Sequence, residues 1–207
     1  MIVLGLTGSI GMGKSTAAAM LRRLGVPVFD ADVAVHRLLA PPGAAVPIVS
    51  AAFPGVETDA GGIDRAQLGQ RVFADPAALQ QLEAILHPLV AAEERRFLAR
   101  SRARREPLVV LDIPLLFETG AERRCDYVLV VSAPALLQRQ RVLRRPGMTE
   151  IRFNAILRKQ IPDYRKRQRA DFVVLSGMGR GLTLRRLKAI VRILRDRDGQ
   201  VNARNRA

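Results

Sequence analysis

The chain has 207 residues, which is enough for one domain with a sizeable hydrophobic core. Its apolar fraction of 48% is typical of a globular protein, and its longest apolar run, residues 108–117, is too short and too interrupted to span a membrane. The N-terminal residues lack the pattern of an export signal, and a lone cysteine, Cys125, excludes an internal disulfide, so a cytoplasmic location is expected.

The charge balance is the unusual property of the composition. The sequence has 34 Lys and Arg residues against 19 Asp and Glu residues, a net charge of +15, which predicts an anionic partner. Aromatic residues make up only 4% of the chain, too few for stacking against single-stranded nucleic acid, so no specific nucleic-acid partner is expected. A phosphate-rich small molecule would also suit the arginines. An equally open interpretation is that most of them lie on solvated helix faces.

Five apolar runs of strand length are separated by helical patterns along the chain. They are continuously apolar, which is typical of parallel strands buried on both faces: residues 2–6, 26–29, 108–113, 127–131 and 172–175. A first helix is predicted to begin in the loop near Lys14 and to end at Gly25. Asp75 is predicted to cap a long helix, and Thr149 is predicted to cap another.

These elements predict an α/β fold with three layers, in which a five-stranded parallel sheet has helices on both faces. We expect a single domain over residues 1–196, with its core formed by residues 1–40 and 106–196. The segment between them, about residues 41–105, is Pro- and Gly-rich and then helical, and it is predicted to be a helical insertion beside the sheet. A last helix is predicted over about residues 182–196, and the polar tail, residues 197–207, is expected to be disordered.

The segment GLTGSIGMGKST, residues 5–16, lies between the first strand and the first helix. Gly8, Gly13, Lys14 and Ser15 match the P-loop pattern G-x-x-x-x-G-K-[ST]. The glycines let the backbone turn with its N–H groups inward, which makes a cradle for an anion at a helix N-terminus. Lys14 would then reach the β and γ phosphates of a nucleotide, and the Ser15 hydroxyl would ligate Mg²⁺. The loop therefore predicts a nucleoside triphosphate site.

A triphosphate site alone does not distinguish a switch, a motor and a kinase. A GTPase should carry an N-K-x-D motif, which the sequence lacks, and motors of this loop class are usually larger. Arginines late in a short chain favour a kinase that closes an arginine-bearing lid over the transferred phosphoryl group. Residues 138–170, with 11 Lys or Arg residues and two acids, are the predicted lid, in which Arg141 and Arg145 share a helix face. A solvated helix face is the alternative explanation of this charge.

The second predicted strand ends in the sequence FDADVAVH, which places two carboxylates at the edge where open α/β sheets bind their ligands. Phosphoryl transfer to an alcohol needs a carboxylate that accepts or orients the hydroxyl proton, and Asp32 is the candidate. Asp30 is interpreted as a helix N-cap. His36, one turn after Asp32, either faces the same cleft or is simply packed or exposed.

The ordered set of motifs resembles that of the dephospho-CoA kinases over residues 2 to about 195. The resemblance rests on the P-loop, DAD at 30–32, LHP at 86–88, PLLFE at 114–118, R-x-x-x-R at 141–145 and AD-x-V at 170–173. It implies a P-loop kinase core with a helical CoA-binding insertion and a mobile lid. It also implies transfer of the γ-phosphate of ATP, with Mg²⁺, to the ribose 3′-hydroxyl of dephospho-CoA, which is the last step of coenzyme A synthesis.

The resemblance also implies roles for particular residues. Lys14 and Ser15 hold the phosphates and Mg²⁺, Asp32 is the base or orienter of the acceptor hydroxyl, and Arg141 and Arg145 are lid arginines. The expected ATP contacts are Gly8, Gly11, Met12, Gly13, Lys14, Ser15 and Thr16, and the expected acceptor contacts are Asp32, His87, Pro88, Leu115, Leu116 and Glu118.

The sequence departs from the family pattern in two places. Met12 replaces a small Ser or Thr, and we expect it to be tolerated because the position contributes mainly its backbone N–H. Ser176 stands where the family often has an asparagine close to the adenine, which leaves the base contacts there undefined. Asp112, at the end of the third strand, has the position of a Walker-B-type acid and is a further candidate for magnesium.

Two other functions stay open when the residues are considered without the resemblance. One is a P-loop kinase that acts on a nucleoside or nucleotide. The other is a basic RNA-associated P-loop protein in which turnover is secondary. The sequence does not define the oligomeric state, for which a monomer is favoured, and no membrane partner is expected.

Overall fold

The computed structural model describes residues 1–73 and 75–204. The chain divides into two compact units, of which the first joins Met1–Phe29 to the chain from Ser101 onward and the second is Asp30–Arg100. Five strands of the described residues form one sheet in the order β2-β3-β1-β4-β5, namely β1 (Ile2–Thr7), β2 (Val28–Asp30), β3 (Leu108–Asp112), β4 (Tyr127–Ser132) and β5 (Phe172–Leu175). Parallel pairing joins β1 to β3, β1 to β4 and β4 to β5. The predicted α/β class and five-stranded sheet are confirmed.

Helices follow the strands in both units. The first unit contains α1 (Lys14–Arg23), α6 (Ala135–Leu143), α7 (Glu150–Arg158), α8 (Asp163–Gln168) and α9 (Arg180–Arg204). The second contains α2 (Ala31–Leu39), α3 (Val46–Ala52) and α4 (Arg65–Phe73), while α5 (Pro76–Ala103) begins in the second unit and ends in the first. No helix within residues 1–73 and 75–204 is both long and apolar enough to cross a membrane.

Side chains of the central strands are buried on both faces of the sheet. Along β4, Leu129 and Val131 belong to a buried cluster with α1 and α9. Val128 and Val130, which alternate with them, belong to a second cluster that includes Phe117. Because side chains on both faces of the strands are buried, the strands are continuously apolar in sequence. Each fully buried side chain of this size stabilises the fold by about 1.5–3 kcal/mol.

Two aspartates each accept a hydrogen bond from the second residue of a strand, in the neighbouring strands β1 and β4. Asp126 Oδ2 accepts the Val3 N–H at 2.7 Å, and Asp171 Oδ2 accepts the Val128 N–H at 2.8 Å. These carboxylates pair N–H groups at the strand ends that would otherwise lack a partner. The aspartate of the AD-x-V motif therefore has a structural role.

The helix caps predicted from sequence are present. Asp75 accepts the Ala77 N–H at 2.9 Å before α5, and Thr149 accepts the Arg152 N–H at 3.3 Å before α7. Gly25 follows α1 with a φ of 71°, the left-handed conformation that ends helices. These boundaries were predictable because each depends on a local backbone contact.

The second unit has a buried cluster of its own. Leu38 of α2 packs in it with Val49 of α3 and Leu68 of α4. The structure corrects the predicted boundaries here, because residues 30–100 form a compact unit, whereas an insertion over 41–105 was expected beside a single core. The reason is that α2 buries its apolar face among α3, α4 and α5, so it belongs to the helical unit and not to the sheet.

The last helix extends further than predicted. α9 ends at Arg204, although the sequence pattern placed its end near residue 196. Asp198 in this extension is buried and accepts a hydrogen bond from the Met1 amine at 2.7 Å, and Arg197 donates to the Tyr127 hydroxyl at 2.9 Å. The helix therefore continues over residues 197–204, where the sequence pattern predicts disorder, and polar contacts of Arg197 and Asp198 hold the first residues of this extension. Residues 205–207 of that prediction lie outside the described residues.

Candidate active site

The P-loop connects the carboxyl end of β1 to the first turn of α1. Gly13 precedes the helix with a φ of 92°, which favours glycine, and no described side chain caps α1. A Cβ at Gly13 would lie 2.9 Å from the Ser176 Oγ, so a larger residue would force the loop to shift. The uncapped N–H groups and the positive end of the helix dipole form the kind of anion site that the motif predicts.

The side chain of Lys14 is held by an ion pair with a buried aspartate, Asp112. Its Nζ donates to Oδ1 of Asp112 at 2.7 Å, and Asp112 is 1% exposed. Asp112 ends β3, which pairs directly with β1, so the sheet brings the acid to the P-loop lysine. The sequence indicates Asp112 only as a candidate for magnesium, because its contact with Lys14 depends on strand order.

The next residues of α1 present hydroxyl groups. Ser15 and Thr16 are exposed, and the Ser15 hydroxyl makes no hydrogen bond within the described part of the chain. Among the described residues there is also no group of three or more His, Cys, Asp or Glu side chains placed to hold a metal. Mg²⁺ in phosphoryl-transfer sites takes one or two protein oxygens and is otherwise bound by phosphates and water, so an open serine hydroxyl fits it.

Met12 makes contacts through both its backbone and its side chain. Its N–H donates to the Ser9 carbonyl at 3.1 Å. Its side chain is 2% exposed, and Sδ accepts the Ala133 N–H at 3.0 Å. The contact of this position with ATP stays a prediction. The thioether packs the P-loop against Ala133, the residue that follows β4.

Arg141, on α6, is docked on the P-loop through Ser176. Its guanidinium donates to the Ser176 Oγ at 2.9 Å, to the Ser176 carbonyl at 3.1 Å and to the Gly11 carbonyl at 3.4 Å. The Ser176 hydroxyl in turn donates to the Met12 carbonyl at 2.6 Å. Ser176, whose role the sequence leaves undefined, therefore connects an arginine of the predicted lid to the loop.

Arg145 has a different environment. It follows the end of α6, is exposed, and its guanidinium makes no hydrogen bond or ion pair with any described residue. The two predicted lid arginines therefore differ: the Arg141 guanidinium is hydrogen-bonded to Gly11 and Ser176, and the Arg145 guanidinium is exposed to solvent.

The PLLFE segment after β3 is mostly turned toward the interior of the first unit. Leu115 is 39% exposed, whereas Leu116 is fully buried. Glu118 Oε1 accepts the Ile161 N–H at 2.8 Å and lies 2.8 Å from Nζ of Lys166, which is fully buried. The Lys166 ammonium makes no hydrogen bond of good geometry, so this contact is an ion pair. Within this segment Leu115 has the exposure that contact with an acceptor needs, and Leu116 and Glu118 do not face outward.

The second unit carries the remaining residues predicted to bind the acceptor. Asp30 caps α2, since its Oδ1 accepts the Val33 N–H at 3.1 Å, which confirms the N-cap interpretation. Asp32, in the first turn of α2, is exposed, and its carboxylate makes no hydrogen bond or ion pair within the described residues. Three more candidates are exposed on helices of this unit: His36, His87 and Pro88.

Three residues that support the site were missed in the sequence. Gln138 lies three positions before Arg141 on the same face of α6, which was a usable signal. Gln160 and Lys166 lie in a basic stretch that resembles a solvated helix face. Their contacts are made with residues far away in sequence, and no local pattern indicates them.

The fold and the loop together define a class of protein. A sheet of order 2-3-1-4-5 has the P-loop after its central strand, and the P-loop lysine is paired with an acid on the next strand. This is the arrangement of the P-loop kinases.

Comparison with known proteins identifies the family. The family model for dephospho-CoA kinase matches residues 2–179. A dephospho-CoA kinase of Paramagnetospirillum magneticum is 66% identical over 195 residues, which cover 94% of this chain and 92% of the relative. One of Mesorhizobium japonicum is 58% identical over 199 residues, which cover 96% and 100%. The chain belongs to the dephospho-CoA kinase family.

Solved structures agree with this assignment. The dephospho-CoA kinase from Campylobacter jejuni has a TM-score of 0.70 and 25% identity, over 94% of this chain and 97% of that one. The protein TT1252 from Thermus thermophilus has a TM-score of 0.77 and 40% identity, over 93% and 97%. The chain is therefore a kinase that uses ATP to phosphorylate dephospho-CoA in the last step of coenzyme A synthesis. Family membership decides against the nucleoside or nucleotide kinase and the RNA-associated protein.

Proposed function

We propose that the P-loop binds the phosphates of ATP together with Mg²⁺, with Lys14 on the β and γ phosphates and the Ser15 hydroxyl on the metal. The observation that supports this assignment is the Lys14–Asp112 pair, 2.7 Å long, beside a helix start without a described side-chain cap. The pair holds the Lys14 amine in place before ATP arrives, so less conformational entropy is lost on binding. Mg²⁺, when bound, neutralises the negative charge of the phosphates.

On the acceptor side, Asp32 accepts or orients the proton of the ribose 3′-hydroxyl of dephospho-CoA. The contrast with Asp30 supports this choice, because Asp30 is occupied as a helix cap and the Asp32 carboxylate is exposed and has no described partner. A carboxylate without a structural contact is the one that remains for proton transfer. His87, Pro88 and Leu115 are proposed contacts for the rest of the acceptor, and Leu116 and Glu118 support the PLLFE segment from within.

Arg141 and Arg145 have different proposed roles in binding the nucleotide and in phosphoryl transfer. Arg141 positions the loop and the nucleotide, since its guanidinium already contacts Gly11 and Ser176. Arg145, which is exposed, neutralises charge on the phosphoryl group during transfer. The same proposal includes a cytoplasmic location, which the single cysteine supports, and a monomeric state. Sedimentation analysis with and without ATP tests the monomer.

The acceptor assignment is tested with Asp32→Asn and the matched variant Asp30→Asn. Asparagine cannot accept the proton, so Asp32→Asn should lower kcat with dephospho-CoA by about 10²–10⁴-fold while the affinity for ATP, measured by calorimetry, changes little. Asparagine is as good an N-cap as aspartate, so Asp30→Asn should keep turnover within about twofold. Equal losses in both variants would contradict the assignment.

A further inference from the structure

Both backbone groups of Ile10, in the middle of the P-loop, are held by glutamine side chains. The Ile10 N–H donates to Oε1 of Gln160 at 3.1 Å, and the Ile10 carbonyl accepts from Nε2 of Gln138 at 2.8 Å. The polarity of the backbone defines the orientation of each amide, because an N–H pairs with an oxygen and a carbonyl pairs with an N–H. One residue of the loop therefore receives two directed contacts.

The two glutamines come from the two ends of one segment of the first unit. Gln138 lies on α6 and is 6% exposed, and Gln160 lies in the turn between α7 and α8. Residues 139–159 between them contain the end of α6 and the whole of α7. Ile10 is thus attached at both points where this segment leaves and rejoins the sheet-forming core.

Close packing supports the contact on the α6 side. Gly11 has a φ of 77°, and a Cβ there would lie 2.5 Å from Cγ2 of Val142 and 3.0 Å from the Gln138 carbonyl oxygen. The absence of a side chain at Gly11 lets α6 approach the loop closely enough for Gln138 to reach Ile10.

A second chain of contacts supports Gln160. The next residue, Ile161, donates its N–H to Glu118 Oε1 at 2.8 Å, and Glu118 lies 2.8 Å from the buried Lys166 Nζ. The turn that carries Gln160 is therefore anchored to the interior of the first unit, so the side chain approaches Ile10 from a fixed position.

We infer that Gln138 and Gln160 are positioning residues for phosphoryl transfer. By holding Ile10 they keep the following N–H groups of the P-loop, toward Lys14, in the orientation that the transferred phosphoryl group requires. Such donors stabilise the transition state most when they need no rearrangement during the reaction. A neutral amide suits both positions, because a carboxylate would add negative charge near the phosphates and an apolar side chain would leave a backbone group of Ile10 unpaired.

The test compares Gln138→Met and Gln160→Met with matched controls. Methionine has about the length and volume of glutamine, but its side chain has no hydrogen-bond donor and only a weak acceptor. Each variant should lower kcat for dephospho-CoA about tenfold, with the KM for dephospho-CoA within about twofold and a thermal midpoint close to that of its control. The controls are Gln140→Met on α6 and Gln168→Met on α8, both at exposed positions, and they should keep wild-type turnover.

Two further comparisons separate positioning from a purely structural role. Gln160→Glu keeps an acceptor for the Ile10 N–H, whereas Gln138→Glu loses the donor to the Ile10 carbonyl, and both add one negative charge. Gln138→Glu should therefore lose about tenfold more turnover. The double methionine variant should lose less than the product of the single losses, because both side chains act on Ile10.

Several outcomes would overturn the inference. They are equal losses in the two glutamate variants, kcat within twofold of wild type in both methionine variants, and multiplicative losses in the double variant. The inference would also be overturned if kcat fell only in variants whose thermal midpoint falls, and by the same amount in the control variants as in Gln138→Met and Gln160→Met. If the Gln138 variants fail to fold, Gln160→Met, which lies in a half-buried turn, gives the same kcat and KM comparison.

Discussion

Lys166→Met removes the positive partner of Glu118 inside the first unit. Lys166 is fully buried on α8, and its Nζ lies 2.8 Å from Oε1 of Glu118, whose side chain is 12% exposed. Methionine has a similar length and volume, so the substitution creates little cavity or strain. The expected loss of stability comes from a carboxylate that stays in the interior without a cation.

The magnitude follows from the contacts that remain. Breaking a buried ion pair by removing one partner costs about 3–5 kcal/mol in the free energy of unfolding. Glu118 retains the hydrogen bond from the Ile161 N–H at 2.8 Å, although its Oε2 is buried without a hydrogen bond. The retained bond favours the lower end of the range, about 3 kcal/mol. For a protein of this size, that corresponds to a fall in Tm of about 6–12 °C.

Urea unfolding followed by circular dichroism, together with calorimetry, measures this loss. Adding Glu118→Gln to Lys166→Met removes the unpaired charge and keeps an acceptor for the Ile161 N–H, so the double variant should return to within about 1 kcal/mol of wild type. Arg96→Met is the control, since it breaks the exposed pair with Glu93 on α5 and should cost at most about 0.5 kcal/mol. A Lys166→Met variant as stable as the control, or a double variant no more stable than Lys166→Met alone, would show that the buried pair does not stabilise the first unit.

The remaining predictions concern the loop, the arginines and the last helix. Lys14→Met should abolish turnover and also lower Tm, because it removes the cation 2.7 Å from the buried Asp112 carboxylate, and adding Asp112→Asn, which removes the buried charge, should restore Tm but not turnover; an unchanged Tm in the single variant would contradict a stabilising role of this ion pair. Arg141→Ala should weaken ATP binding in calorimetry about tenfold, whereas Arg145→Ala should lower kcat and leave ATP binding unchanged, and the reverse pattern would exchange their roles. Truncation after residue 196 should lower Tm by about 2–4 °C through loss of the Asp198 contact, and an unchanged Tm would show that the end of α9 does not stabilise the first unit.

Elements that depend on neighbouring residues were predicted well from the sequence. The five strands, the P-loop and the Asp30 cap each follow from a local pattern of apolar residues, glycines or a capping side chain. The site contacts that were missed join distant parts of the chain, as in the Lys14–Asp112 pair and the contact of Arg141 with Ser176. Such contacts depend on which strands are neighbours, and strand order leaves no signal in one segment.

The boundaries that were wrong have a similar physical cause. α2 follows a core strand in sequence, and only its packing against the other helices assigns it to the second unit. The end of α9 lacks an apolar face, and its contacts are polar pairs with Met1 and Tyr127. Apolar periodicity predicts burial against a core, and it does not detect a helix end that is held by polar contacts.

The most direct test of the whole account is an end-point assay with ATP, Mg²⁺ and dephospho-CoA, read by ³¹P NMR and mass spectrometry. The account predicts one ADP and one coenzyme A per ATP consumed, with the new phosphate on the ribose 3′-hydroxyl and with almost no ATP consumed when dephospho-CoA is omitted. ATP hydrolysis at the same rate without dephospho-CoA, or equal phosphorylation of adenosine or AMP, would contradict it.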